Sequence, residues 1–378
     1  MSDFGKLLTA VITPFDSNGV LSTDTLWRLC RKLTHEKSDG LVLSGTTGES
    51  PNLTKEDRKI IYSTAKDSVG DKAKIIAGTG TYSTRESIEY TKMANDLGVD
   101  GIMIVTPYYS KPSQIGILQH FEQISKNTDL PIMAYNIPGR TATLIQIDTL
   151  EKLVDDIGIH SIKDAVGDLN FSKTELEVLK NKVDIYSGND GETIEFMKMG
   201  GKGVVSVASH VVGNEIFNLI NHVLNDEIES AEQLQTQLLP FFDLLFEEPS
   251  PGPVKYLLTE TWEDVGSPLM PITSVSVDLA SKWVQQGADV KVLMTKSAQK
   301  FVGKATFEGI THNKVLDDLW DSESDLNIDH LDIAKNSDLI VVSPITANMI
   351  SKIAHGNSDD LISTTLIATD KPIMIAPA

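Results

Sequence analysis

The chain has 378 residues, with 33 Lys+Arg against 53 Asp+Glu and a formal charge of -20. That deficit of positive charge excludes a nucleic-acid or anionic-membrane surface, since both need clustered Lys and Arg. Hydrophobic residues make up 40% and charged residues 23%, an ordinary globular balance, and no run approaches the roughly 18 apolar residues of a membrane span.

The N-terminal stretch "MSDFGKLLTAVITPF" lacks a basic region and a small-residue cleavage site, so it does not read as a signal peptide. From there to about residue 224, short β-rich runs alternate with helical windows. The runs are "KLLTAVITPF", "GLVLSG", "KIIAGTG", "DGIMIVTPYY", "PIMAYN", "GIHSIKD", "VDIYSG" and "GKGVVSV". Between them lie windows such as "TKEDRKIIYSTAKDSV", which opens on Thr54 with Asp57 three residues on, a capping-box-like start. Strand-then-helix repetition at this density predicts a (β/α)8 barrel over 1–224 rather than a doubly wound sheet. Residues 225–273 carry only helical patterns and read as an extension packed on the barrel. From 274 to 378 the pattern returns to α/β, with strand runs in "ADVKVLMTK", "SDLIVVSP" and "PIMIAPA" and helices in "SVDLASKWVQQG" and "ANMISKIAHG". The single cysteine, Cys30, lies in the helical pattern "LWRLCRKL" and reads as core. It excludes an internal disulfide and any Cys-based zinc site. The histidines, His210 and His312 among them, show no metal-ligand spacing, so no metal is expected. A cytoplasmic protein is the reading these features give.

In a (β/α)8 barrel the chemistry sits at the carboxyl ends of the strands. Gly158–Ile162 reads as a short buried strand with Lys163 at its end. Thr46-Thr47, Tyr108-Tyr109 and Tyr135 follow other strand runs, so four chemically capable positions share one rim. Burial of a lysine favours its neutral amine, and a neutral amine attacks carbonyls to form Schiff bases. A bland reading also exists, in which Lys163 pairs with Asp164 or reaches along the rim to water. No histidine sits at these strand ends, so tyrosine and threonine hydroxyls would have to move the protons. Arg140, five residues after Tyr135, offers a fork for a carboxylate. The hydroxyls and backbone N–H groups of "SGTTGES" could hold a second one.

"GTTGES", "AGTG", "TPYY", "YNIPGRT", "IKDAVGD", "YSGND" and "GGKGVVSV", in this order over about 5–273, resemble the pyruvate-dependent class I aldolases, and among them the dihydrodipicolinate synthase family. The resemblance implies that Lys163 forms a Schiff base with pyruvate and that Tyr135 donates and accepts protons. It implies that Thr46 and Tyr109 relay them to solvent, with Tyr109 reaching into a neighbouring subunit. Thr47, Val205 and Gly188 would line the pyruvate pocket, and Arg140 would grip L-aspartate 4-semialdehyde. No metal or organic cofactor is implied, and self-association as a dimer or tetramer is. The same fold and lysine serve N-acetylneuraminate lyase and its siblings, the alternative within the class. Ser50, Lys55, Arg58, Tyr82, Glu86 and Tyr108 fall on the family's lysine-inhibition site. Extra positive charge from Lys55 and Arg58 would repel a cationic amino acid, so weak or no inhibition is expected.

Residues from about 278 resemble a second family, the flavoproteins that decarboxylate phosphopantothenoylcysteine. The matches are "QGADVKVLMTKSAQKFV", "SPITANM", Ser363-Thr364-Thr365 and "PIMIAPA", with His330 at the family's catalytic histidine. That family's cofactor is FMN. "MPITSVSVDLA" has no glycine where the family cradles the flavin phosphate, and nothing follows "APA" to supply the catalytic asparagine and substrate flap. A truncated flavodoxin-like fragment without decarboxylase activity or tight FMN binding is therefore expected. "SVDLASKWVQQGA" matches the last helix of the first family and the first helix of the second. A third possibility is a fusion whose barrel is inert and whose tail binds flavin or a partner.

Overall fold

The computed structural model describes residues 3–276, 291–300, 303, 304, 307, 314–317, 329–337 and 339–377. The chain divides into two compact units, 1–276 and 277–378.

The first unit is built on eight short strands: β1 (Leu7–Ala10), β2 (Gly40–Leu43), β3 (Lys74–Gly78), β4 (Gly101–Val105), β5 (Ile132–Asn136), β6 (Ser161–Asp164), β7 (Asp184–Ser187) and β8 (Gly203–Ser206). They form a closed barrel in sequence order, with β8 pairing back in parallel to β1. Helices cover the outside: α1 (Thr23–His35), α2 (Lys55–Val69), α3 (Thr84–Asp96), α4 (Gln114–Ser125), the single turn α5 (Pro138–Thr141), α6 (Ile147–Lys152), α7 (Leu169–Val178), α8 (Thr193–Lys198) and α9 (Ser209–Leu224). Strands covered on both faces need continuous apolar runs, and Ile75, Ile102, Ile104, Met133 and Val204 all lie in the buried core. The helix starts are chemically defined. Thr54 accepts from the Asp57 backbone N–H while the Asp57 carboxylate accepts from Thr54 N–H, a full capping box. Ser83, Ser113 and Asp168 cap α3, α4 and α7 in the same manner from one side.

One boundary differs from the sequence reading. The sixth strand begins at Ser161, not Gly158, because Leu153–Ile157 form a wide helical turn and the Ile159 N–H donates back to the Leu153 carbonyl at 3.1 Å. Lys163 therefore lies inside the strand ladder, opposite Tyr135 on β5 and Tyr186 on β7, rather than beyond it.

Two further helices, α10 (Ile228–Glu247) and α11 (Gly252–Thr261), complete the unit. Cys30 and His210 are fully buried. His210 is a satisfied core histidine: its Nδ1–H donates to the Val207 carbonyl and its Nε2 accepts from the Ile12 N–H.

In the second unit, β9 (Ile340–Ile345) and β10 (Ile373–Pro377) pair in parallel, with helices Ala347–Ala354 and Leu361–Ala368 forming the crossover. His330 lies in the helix Asp329–Asn336. The run "ADVKVLMTK" contributes a single bridge, Leu293 to Leu316, among the described residues rather than a strand. The helix expected in "SVDLASKWVQQGA", from Val277 onward, and His312 lie outside the described residues. No described helix is long and apolar enough to cross a membrane.

Candidate active site

Strand alternation turns successive side chains to opposite faces, and on β6 this separates two charged residues. Asp164 faces outward: its carboxylate accepts from the Ser172 hydroxyl on α7 at 2.5 Å and from the Val166 N–H at 2.9 Å. Lys163 faces the barrel interior, 5% exposed, with its Nζ 4.3 Å from the centroid of the Tyr135 ring. Tyr135 is itself 4% exposed. An amine buried against an aromatic face at the carboxyl end of a barrel strand has little water around it, which suits a nucleophile.

Gly188, the residue after β7, closes on this lysine from the side. Its N–H donates to the Asp164 carbonyl at 2.6 Å, and a methyl added there would lie 3.0 Å from Lys163 Cε and 2.7 Å from Ala165 Cβ. Any side chain at 188 would displace the lysine stem. Val205 on β8 is fully buried opposite Leu8 on β1. Asp190, also fully buried, accepts from the Val207 and Ala208 N–H groups at 3.0 and 3.1 Å. Burial raises its pKa, while Ser206, those two amides and the Lys163 charge act in the opposite direction. Sequence reading passed over it although it stands inside the quoted "YSGND".

The turn after β2 carries Thr46 and Thr47. Thr47 is buried and Thr46 half-buried. Glu49 and Ser50 N–H groups close the turn onto the Thr46 and Gly45 carbonyls at 3.0 and 3.2 Å, and Thr13 donates to the Gly48 carbonyl at 2.7 Å. Arg140 is exposed on α5, its backbone tied to Ile137. Tyr109 is 93% exposed with φ 68°.

The residues expected at an inhibition site are brought together with one exception. The buried Arg58 donates to the Gly78 and Ser50 carbonyls and the Ser50 hydroxyl at 2.7–2.8 Å, and its guanidinium stacks 4.5 Å from the Tyr90 ring centroid. Tyr90 donates to Glu86, and Tyr82 meets Tyr108 edge-on at 5.5 Å. Burial raises the Tyr108 pKa, and the Arg58 charge opposes that rise. Lys55 lies apart, in a surface groove between α2 and α3 lined also by Glu89 and Lys92.

Two further buried ionisable groups escaped the sequence reading. Glu175 on α7 is fully buried beside Asp164, and burial together with the Asp164 charge pushes its pKa well above the usual carboxylate range. Its signal was an acid on the Ser172–Glu175–Leu176 stripe that α7 turns inward. Lys255 on α11 is 1% exposed and pairs with Glu49 at 2.6 Å. A lysine within the apolar stretch "PVKYLL" was its signal.

A closed parallel (β/α)8 barrel with a buried lysine facing inward on its sixth strand, beside a tyrosine on the fifth, defines a lysine-dependent aldolase. A profile of the dihydrodipicolinate synthetase family matches residues 3–286. The 4-hydroxy-tetrahydrodipicolinate synthase of Desulforudis audaxviator is 43% identical over 274 residues, 72% of this chain and 93% of that one. The crystal structure of a dihydrodipicolinate synthase from Bacillus anthracis superimposes with a TM-score of 0.74 at 40% identity, covering 76% of this chain and 98% of that one. That of the Cyanidioschyzon merolae enzyme, with lysine bound, gives 0.73 at 36% identity over 75% and 97%. The chain belongs to the dihydrodipicolinate synthetase family.

A flavoprotein family profile matches 273–378. Its FMN would need free donors from Ser363, Thr364 and Thr365. Here those hydroxyls donate to the Asp360 carbonyl at 3.2 and 2.7 Å and the Leu361 carbonyl at 2.8 Å. The 270–280 stretch has no glycine where a flavin phosphate would be cradled.

Proposed function

We propose that the chain is a 4-hydroxy-tetrahydrodipicolinate synthase, a lyase that condenses pyruvate with L-aspartate 4-semialdehyde through a Schiff base on Lys163. The observation that carries this is the buried Lys163 amine against the Tyr135 ring. The amine adds to the pyruvate C2 carbonyl, and the carbinolamine loses water to give the imine. Loss of a C3 proton gives the enamine, whose C3 forms a bond to the aldehyde carbon, and the resulting alkoxide takes up a proton. The product's own amino group then adds to the imine carbon and expels Lys163, closing the ring. Tyr135 donates and accepts these protons through its hydroxyl, linked to solvent through Thr46 and a partner subunit's copy of Tyr109. Thr47 and the surrounding turn take the pyruvate carboxylate, Gly188 and Val205 shape the pocket, and Arg140 takes the second carboxylate. The lysine supplies the electron sink, so no metal or organic cofactor is required. The reading includes a cytoplasmic homotetramer in the diaminopimelate and lysine pathway that lysine inhibits weakly if at all.

The test is incubation with pyruvate, reduction with borohydride and mass analysis. A reduced pyruvate adduct mapped to Lys163 is expected. No adduct on a folded protein would refute the reading and leave an inert barrel. Turnover of aspartate semialdehyde rather than N-acetylneuraminate separates the synthase from its siblings.

A further inference from the structure

The turn expected to hold pyruvate is fastened by residues far away in sequence. Glu49 ends that turn in left-handed backbone geometry, φ 56°, which a non-glycine residue adopts only when its surroundings impose it. Its carboxylate runs inward and is 1% exposed. One oxygen pairs with Lys255 Nζ at 2.6 Å, and the other accepts from the Leu269 N–H at 2.6 Å. Lys255 comes from α11, its Nζ also donating to the Ser267 carbonyl at 3.3 Å and sitting 4.4 Å from the Phe15 ring centroid.

The segment from Glu263 to Leu269 therefore lies against two strand-end loops at once. Phe15 N–H donates to the Val265 carbonyl at 3.0 Å. At Gly266, φ 72°, an added methyl would lie 2.1 Å from the Phe15 carbonyl oxygen, so the two backbones touch. Arg28 on α1 grips Glu263 with two nitrogens. A buried ion pair is a poor way to gain stability, because desolvation offsets its Coulomb attraction, but it fixes geometry closely.

We infer that Lys255 and Glu49 are positioning residues: the C-terminal extension, through this pair, sets the conformation of the Thr46-Thr47 turn and so the affinity of the pocket for an α-keto carboxylate. This rests on the proposed pyruvate chemistry for its substrate, but the tie itself does not. Lys255 touches no reacting atom. Burial lowers its pKa, and the Glu49 charge opposes that.

The experiment uses the full chain and three variants, Lys255→Met, Glu49→Gln and the double variant. Two readouts are taken. One is amide hydrogen exchange of the peptide spanning residues 44–50 without substrate. The other is the pyruvate concentration that half-saturates borohydride trapping, with KM and kcat for both substrates. Exchange of this peptide is expected to accelerate in Lys255→Met, and half-saturating pyruvate to rise about tenfold, the effect of leaving the buried Glu49 carboxylate without its charge partner. The semialdehyde KM should stay unchanged. The double variant removes both buried charges and so leaves neither unpaired, and its turn should remain loose. A folded variant whose 44–50 exchange and pyruvate half-saturation match the wild type overturns the inference. A wild-type protein with no pyruvate adduct refutes the proposed function instead, while accelerated exchange in the variants would still support the tie.

Discussion

Gly188→Ala tests the geometry around Lys163 with one methyl group. The new carbon would meet Ala165 Cβ at 2.7 Å, the Asp164 carbonyl oxygen at 3.0 Å and Lys163 Cε at 3.0 Å. The backbone cannot simply retreat, because Gly188 N–H is bound to that same Asp164 carbonyl at 2.6 Å. The Ala165 contact is the tightest and forces a local shift, and the flexible lysine stem gives by a few tenths of an ångström with it. Overpacking of this size costs about 1–3 kcal/mol. In a unit of this length that is a fall of roughly 2–5 °C in Tm. Displacement of a reacting group by a fraction of an ångström should slow pyruvate trapping about tenfold, within the roughly hundredfold loss a 1 Å error can cause. Gly191→Ala is the control, since its nearest neighbours stand at an ordinary 3.6 Å. Thermal unfolding and the single-turnover rate of borohydride trapping are the assays. A Gly188→Ala protein with wild-type Tm and wild-type trapping would refute the claimed contact, and with it the position of the lysine.

Arg140→Ala should raise the KM for aspartate semialdehyde by roughly 10–100-fold, the worth of a charged hydrogen bond, and leave pyruvate trapping alone; full activity with that aldehyde would count against the synthase assignment. Glu175 has a raised folded pKa, so its contribution to stability is complete below the unfolded value and is lost as pH rises through the folded one. Glu175→Gln should therefore remove part of the wild-type decline in unfolding free energy above about pH 4.3, the ordinary glutamate value, as measured by urea titration across pH. His210 behaves oppositely: burial lowers its pKa to about 4. Its stabilising effect is present above the unfolded value near 6.5 and is lost as pH falls toward 4, up to about 3 kcal/mol. Acid unfolding of a His210→Gln variant should show a shallower slope in that window. Lysine at sub-millimolar concentration should leave activity above half; stronger inhibition would contradict the reading of Arg58 as an occupant of that site.

What the sequence made legible was local. β5 and β8 are short apolar runs bounded by breakers, and the Thr54–Asp57 cap needs only neighbours along the chain, so both were readable. The strand-end lysine was readable as well, but its strand was misplaced by three residues. Gly158–His160 look apolar enough to belong to the strand, but the Ile159 N–H turns back to the Leu153 carbonyl of the wide turn at Leu153–Ile157, while the His160 N–H already bonds the Ile132 carbonyl of β5 at 2.9 Å. The pairs Glu49–Lys255 and Glu175–Asp164 were not legible, because each charge is intelligible only beside its partner. A lysine in "PVKYLL" gives no hint that its carboxylate ends the second strand's turn. The run "ADVKVLMTK" shows the bridge from Leu293 to Leu316, with Ala288–Val290 outside the described residues.

The buried thiol of Cys30 has a practical consequence. It is the chain's single cysteine, it has no solvent exposure, and burial pushes its pKa up to about 12. Because the thiolate is the reactive form, a thiol reagent cannot modify the native barrel and must wait for α1 to lift away. The labelling rate is then a clock for opening of the barrel, read without any engineered probe. Run with and without pyruvate, that clock reports how far closing the lysine adduct holds the whole wall of helices in place.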